Sequence, residues 1–299
     1  MKSFEVPIIY RSPLITAIKK KRKEQDRMKK DFSPTLLDFG AIKISLARHF
    51  GFCYGVENAI EIAFKTIEQN PGKRIFLLSE MIHNPQVNQD LQSHGIRFLQ
   101  DTSGNQIVPF STLTKDDIVL IPAFGTTLEI ENKLATIGIK TAPYNTTCPF
   151  VEKVWNRSEV IAQKKYTVII HGKPSHEETR ATFSHAAAHG PALVLKDMEE
   201  AVILANFIKE EKSAEWFYKQ FSGQYSNGFD PLKDLQRIGV VNQTTMLASD
   251  TQAIADFLKK VILEKYPQEE AVADTRASST STASFNQLSC TSKQTNTAC

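Results

Sequence analysis

Tyr144-Asn145-Thr146-Thr147-Cys148-Pro149-Phe150-Val151-Glu152-Lys153-Val154-Trp155 reads as a strand end, a polar cap and a helix that begins on proline. Proline suits the first helical position, where its missing N–H costs no hydrogen bond. Thr146 or Thr147 is placed to cap the free N–H groups. A thiol there faces the positive end of a helix dipole, which favours the thiolate. Arg48-His49-Phe50-Gly51-Phe52-Cys53-Tyr54-Gly55-Val56 puts a second cysteine in the same setting. Two such thiolates point to a metal or cluster site; the alternative is a pair of small buried apolar residues. A Cys-x-x-Cys zinc knuckle is absent, and no third cysteine stands in a comparable setting.

Outward from Cys148, strands and helices alternate. Ile42–Ala47, Arg74–Leu78, Asp117–Ala123, Tyr166–Ile170, Ala192–Leu195 and Arg237–Val241 read as strands. Helical spacing follows Val56, Ile60, Ala63, Phe64 and Ile67, and predicts helices over Pro85–His94, Thr127–Ile137, Pro149–Lys164, Glu177–Ala188 and Met198–Ile208. Gly95 and Gly138 stand as helix stops. Ile254, Phe257, Leu258, Val261 and Ile262 mark a last amphipathic helix. Residues 209–235 read as an insertion or long loop. The alternation implies an α/β fold with largely parallel sheets, whose sites lie at the carboxyl ends of the strands. Residues 1–40 are expected to be an extension with one basic helix, about Leu14 to Lys30. Two α/β domains, 41–146 and 147–272, follow. The last segment, 273–299, is nearly all Ser, Thr, Ala, Gln and Asn from Ala277 on, and is expected to be disordered.

Composition narrows the classes. With 299 residues, 41% of them hydrophobic and 23% charged, the chain can bury a sizeable core. A net charge of +3 gives no argument for nucleic acid, and Lys19–Lys23 reads as a solvated helix face. Four cysteines make no disulfide framework. No apolar run approaches the ~20 residues of a membrane span, and no secretory h-region opens the chain. A reducing cytoplasm is expected.

Several polar residues fall at the same sheet end. His83 in Glu80-Met81-Ile82-His83-Asn84-Pro85 and His176 in Lys173-Pro174-Ser175-His176-Glu177-Glu178 each precede a helix, a setting that binds anions such as phosphate. Surface or capping roles are the alternative. Glu178 could be a general acid or a carboxylate favoured by the helix dipole. Thr244, after the Arg237–Val241 strand, could bind substrate or cap a helix. Gly125-Thr126-Thr127 is a candidate phosphate-approach turn. A thiol hydrolase built on Cys148 lacks a triad pattern.

Taken together, His49–Val56, Glu80–Pro85, Pro122–Thr127, Asn145–Trp155, His171–Thr182 and Asn242–Leu247 resemble the 4-hydroxy-3-methylbut-2-enyl diphosphate reductase family, in its plant and cyanobacterial branch. The resemblance implies a three-domain, cluster-centred architecture. It implies reduction of (E)-4-hydroxy-3-methylbut-2-enyl diphosphate to isopentenyl and dimethylallyl diphosphates in the non-mevalonate pathway. It further implies a 4Fe-4S iron–sulfur cluster on three cysteines, with an electron donor such as ferredoxin or flavodoxin. By motif, Cys53 and Cys148 would be cluster ligands, His83 and His176 would bind the diphosphate, Glu178 would deliver protons and Thr244 would sit beside the substrate hydroxyl. Three thiolates leave one iron open as a Lewis acid. Many members of the family have histidine where this chain has Phe124. After the middle domain the family continues with an Asp-Thr-(Ile/Leu)-Cys run and a third domain, whereas Asp274-Thr275-Arg276 here gives way to the polar tail with Cys290 and Cys299. The expectation is a reductase represented by its first two domains, with impaired cluster binding and activity. The alternative is a non-catalytic fragment that at most binds diphosphates.

Overall fold

The structure, a computed structural model, describes residues 7, 10, 12–28, 30–48, 50–210 and 212–266. The expected disordered tail, 273–299, with Cys290 and Cys299, lies outside the described residues, as does His49. The fold is α/β with two three-stranded parallel sheets.

The first sheet contains β3 (Ile75–Leu77), β4 (Arg97–Phe98) and β5 (Ile118–Leu120), in the order β4-β3-β5. The second contains β6 (Thr167–His171), β7 (Ala192–Leu195) and β8 (Ile238–Asn242), in the order β7-β6-β8. Both sheets therefore put their first strand in the centre, flanked by the second and third. Apart from the two-residue β4, the strands are buried throughout and largely apolar because helices cover both faces. In β6, Ile169 packs toward α7 (Met198–Glu210) and α10 (Ala248–Lys265), while Val168 and Ile170 pack toward α5 (Pro149–Gln163) and α6 (Glu177–Ala187). In β3, Ile75 and Leu77 face α2 (Tyr54–Gln69) and α3 (Pro85–Ser93), while Phe76 joins the core beneath α4 (Leu128–Ile137). This period of two is the pleat. Each fully buried side chain of this kind stabilises the fold by roughly 1.5–3 kcal/mol.

The repeat extends beyond the sheets. Each half opens with a helix whose N-cap is a cysteine, Cys53 for α2 and Cys148 for α5. Each central strand is followed by a turn with a histidine and another helix. Asn84 caps α3 by accepting from Val87 N–H, and His176 caps α6 by accepting from Glu178 N–H. Helix α4 stops at Gly138, whose φ of 91° is the left-handed conformation expected of a C-cap glycine.

Three local expectations differ from what forms. The basic helix α1 (Pro13–Gln25) ends early, because the Asp26 carboxylate accepts from the backbone N–H groups of Lys30 and Asp31 and turns the chain. Thr35–Asp38 forms a strand, β1, paired antiparallel with β2 (Lys43–Leu46), so residue 40 lies in a hairpin turn. The stretch 209–235 is structured: α8 (Ala214–Gln220) and α9 (Pro231–Asp234) enclose an aromatic cluster in which Phe217 packs on Phe221 at 4.9 Å and on Phe229 at 5.5 Å. Gly223 and Gly228 break the helical spacing that would have shown this core in the sequence.

Candidate active site

Cys53 and Cys148 both fall at helix N-caps, as the sequence predicts, and both are free thiols. The capping differs. Neither Thr146 nor Thr147 caps α5: the Thr146 hydroxyl donates to Ile121 O and the Thr147 hydroxyl to Asn145 Oδ1. Asn145–Cys148 instead runs parallel to the end of β5. Ile121 bridges to Asn145, and Cys148 N–H donates to Ala123 O at 2.9 Å. A cysteine that starts the second half is thereby pinned to the first sheet.

This pinning brings Cys148 to the first turn of α2. A Cβ placed on Gly55 would lie 2.3 Å from Cys148 Sγ. Only a residue without a side chain admits the sulfur there. The expected thiolate is not favoured in the bare site. Burial pushes the Cys148 thiol up, and negative charge on Cys53 and Glu178 adds to this; the N–H groups of Phe150 and Val151 pull the other way. Desolvation outweighs the helix terminus. The same interactions place Cys53, Cys148 and Glu178 in one electrostatic neighbourhood.

His83 and His176, from different halves, meet with their Nε2 atoms 3.2 Å apart. Phe124 stacks on His83 at 4.4 Å and meets His176 edge-on at 5.4 Å. Glu80 Oε2 lies 3.5 Å from His83 Nδ1. Burial, then the charges of His83, Lys173 and Arg180, lower the His176 pKa to about 4.

Glu178 is 1% exposed. Thr244 donates to it twice, from its backbone N–H to one oxygen and from its hydroxyl to the other at 2.8 Å. Burial raises the Glu178 pKa to about 7, against the pull of those two bonds. Gln243 shapes the loop: its Oε1 accepts from Lys173 N–H and the Thr179 hydroxyl. Neither Gln243 nor Glu80 has a role in the sequence reading; Glu80, three residues before His83, was the available signal. The candidate phosphate-approach turn has another use. Gly125, at φ 76°, receives the Trp155 ring, which would lie 2.4 Å from a Cβ. Beside this seam, Glu177 is 6% exposed and neither carboxylate oxygen makes a hydrogen bond of good geometry, although the Ser79 side chain is near enough to pull its pKa down. It lines a cavity of about 330 Å³ with Ser79, Gln100 and Arg180, and burial raises its pKa to about 7.

Among the described residues, no group of three or more His, Cys, Asp or Glu side chains is arranged to hold a metal ion. Cys148 Sγ lies against the first turn of α2, two residues after Cys53, and both cysteines are N-caps, but the described residues supply no third cysteine. No described helix is long and apolar enough to cross a membrane.

A family model described as LytB protein matches residues 44–288. The 4-hydroxy-3-methylbut-2-enyl diphosphate reductase of Prochlorococcus marinus (strain MIT 9211) is 44% identical over 231 residues, which is 77% of this chain and 55% of that protein. The protein of the same name from Picosynechococcus sp. (strain ATCC 27264 / PCC 7002 / PR-6) is 43% identical over 227 residues, 76% of this chain and 55% of its own length. The chain thus spans about half the length of these curated relatives. A solved structure of (E)-4-hydroxy-3-methyl-but-2-enyl diphosphate reductase, the terminal enzyme of the non-mevalonate pathway, aligns with a TM-score of 0.51 at 20% identity, covering 79% of this chain and 80% of that one. The structure of E-1-hydroxy-2-methyl-but-2-enyl-4-diphosphate reductase from Plasmodium falciparum aligns with a TM-score of 0.52 at 17% identity, covering 79% and 71%. These two likenesses establish the fold.

Proposed function

Because the chain belongs to the LytB protein family, whose model spans residues 44–288, we propose that it acts as, or as part of, an iron–sulfur reductase of an allylic diphosphate. The substrate is (E)-4-hydroxy-3-methylbut-2-enyl diphosphate and the products are isopentenyl and dimethylallyl diphosphates. The observation that carries this reading is the convergence of Cys148 Sγ on the first turn of α2 at Gly55, two residues after Cys53.

Cys53 and Cys148 would hold the cluster as two of its ligands. When bound, the cluster supplies electrons and a Lewis-acidic iron. The described residues do not complete its ligand set, so the roles below are those of the chain's own side chains. His83 and His176 bind the diphosphate, aided by N–H groups at the starts of α3 and α6. Glu178, with a pKa near 7, holds a proton at neutral pH and releases it toward the departing oxygen. The Thr244 hydroxyl, which donates to Glu178, holds that carboxyl in place and is the partner of the substrate hydroxyl. Electrons come from a ferredoxin- or flavodoxin-class donor, and the work is cytoplasmic.

Anaerobic reconstitution of the full chain with iron and sulfide tests the assignment. Iron retained by the wild-type chain and lost from both Cys53→Ser and Cys148→Ser supports it. Iron retention indifferent to both substitutions overturns it.

A further inference from the structure

We propose that His83 and His176 form an asymmetric clasp in which binding of a diphosphate group is accompanied by uptake of one solvent proton at His83 Nε2, and that Glu80 is the positioning residue that makes His83 the acceptor. The proposal rests on the assignment of these histidines to the diphosphate.

The proton positions follow from one backbone group. Glu178 N–H donates to His176 Nδ1 at 3.1 Å. An N–H group only donates, so Nδ1 carries a lone pair and neutral His176 has its proton on Nε2. That Nε2 faces His83 Nε2 at 3.2 Å, and two lone pairs or two protons would repel there. His83 Nε2 therefore accepts, and the neutral His83 proton sits on Nδ1, 3.5 Å from Glu80 Oε2. The result is a directed line from Glu178 N–H through both rings to Glu80. Phe124 holds both ring planes, stacked on one and edge-on to the other.

An anionic oxygen arriving at the two Nε2 atoms meets one donor and one lone pair. One added proton turns both into donors. His176 is the wrong ring to receive it: protonating Nδ1 would deprive Glu178 N–H of its acceptor. A cation there would also be costly to desolvate: burial, and then the charges of His83, Lys173 and Arg180, already hold the His176 pKa down to about 4. His83 is the right ring. It is 46% exposed and has the Glu80 carboxylate at its other nitrogen. The charged and titratable groups set against the pair are thus Glu80 for His83, Lys173 and Arg180 for His176, and each ring for the other. Binding must then weaken as pH rises through the range in which the proton becomes harder to supply.

Imidazole ¹⁵N resonances of the full chain, recorded at pH 7.5 with and without inorganic pyrophosphate, test this. The expected ligand-free pattern is His83 protonated at Nδ1 and His176 at Nε2; with pyrophosphate, His83 becomes doubly protonated and His176 stays neutral. In Glu80→Gln the ligand-free Nδ1–H preference of His83 is lost, and pyrophosphate affinity falls about two- to fivefold, as for an exposed ion pair. Rings that shift with pyrophosphate while neither gains a proton, or a proton gained by His176, overturn the clasp and leave the diphosphate assignment standing. Pyrophosphate that perturbs neither ring overturns that assignment and the clasp with it. Should Glu80→Gln fail to fold, the wild-type spectra alone decide.

Discussion

In the first half, the turn after β3 carries Glu80 and His83, the histidine 46% exposed. In the second half, the matching turn after β6 carries His176 and Glu178, the carboxylate 1% exposed. The loop after the third strand differs in the same sense. After β5 it presents Phe124, which stacks on His83; after β8 it presents Thr244, which donates twice to Glu178. One strand order and one pattern of cysteine and histidine thus serve two purposes. The first half sets an exposed histidine between an aromatic wall and a half-buried acid. The second half buries a carboxylate and satisfies it from one neighbouring loop. A repeated fold places groups symmetrically, and the burial of each group then decides what it can do.

The largest expected effect breaks the symmetry the two halves share. Cys53→Ser and Cys148→Ser should each reduce iron bound after reconstitution to background, measured by metal analysis. A chain that keeps its iron when only one of them is replaced would show that the halves are unequal in their ligands too. Glu178→Gln should lower turnover by about 10²- to 10⁴-fold, the usual worth of a positioned general acid, with pyrophosphate affinity nearly unchanged. The kcat and affinity measurements together separate proton delivery from binding, and so separate the second half's task from the first's.

Gly55→Ala tests the contact between halves. Its Cβ would meet Cys148 Sγ at 2.3 Å, so about 1–3 kcal/mol of stability should be lost, as in other overpacked sites. Urea unfolding measures this. The smallest effect concerns Glu177. Its folded pKa of about 7 lies above the ordinary glutamate value of 4.5, so the folded state binds more protons than the unfolded state between those values. Stability must therefore fall as pH rises from 4.5 to 7 and level off above. Because each pKa unit is worth about 1.4 kcal/mol, the loss should be on the order of 1 kcal/mol. Glu177→Gln should flatten that slope without altering the separate contribution of Glu178, which unfolding at several pH values would show.

Much of this architecture could be read along the chain. The apolar runs of β3, β6, β7 and β8 announce buried parallel strands, and Pro85, Pro149, Gly95 and Gly138 mark helix ends by backbone constraints that act within a few residues. The cysteines and histidines at helix starts were visible for the same reason. Strands β1 and β4 were missed because four- and two-residue strands carry too little pattern. The α8–α9 insert was missed because its core joins rings on either side of two glycines.

Local hydrogen bonding and side-chain spacing thus determined the order of elements and the polar residues at their ends. Tertiary packing alone decided that Cys148 would lie on Gly55, that the two imidazoles would meet at their Nε2 atoms, and that the Cys148 thiol would be raised when its helix terminus favours the anion. The physical reason is range. A cap or a pleat is settled by neighbours in sequence, whereas desolvation and the His83–His176 contact depend on groups that meet only after both sheets have formed.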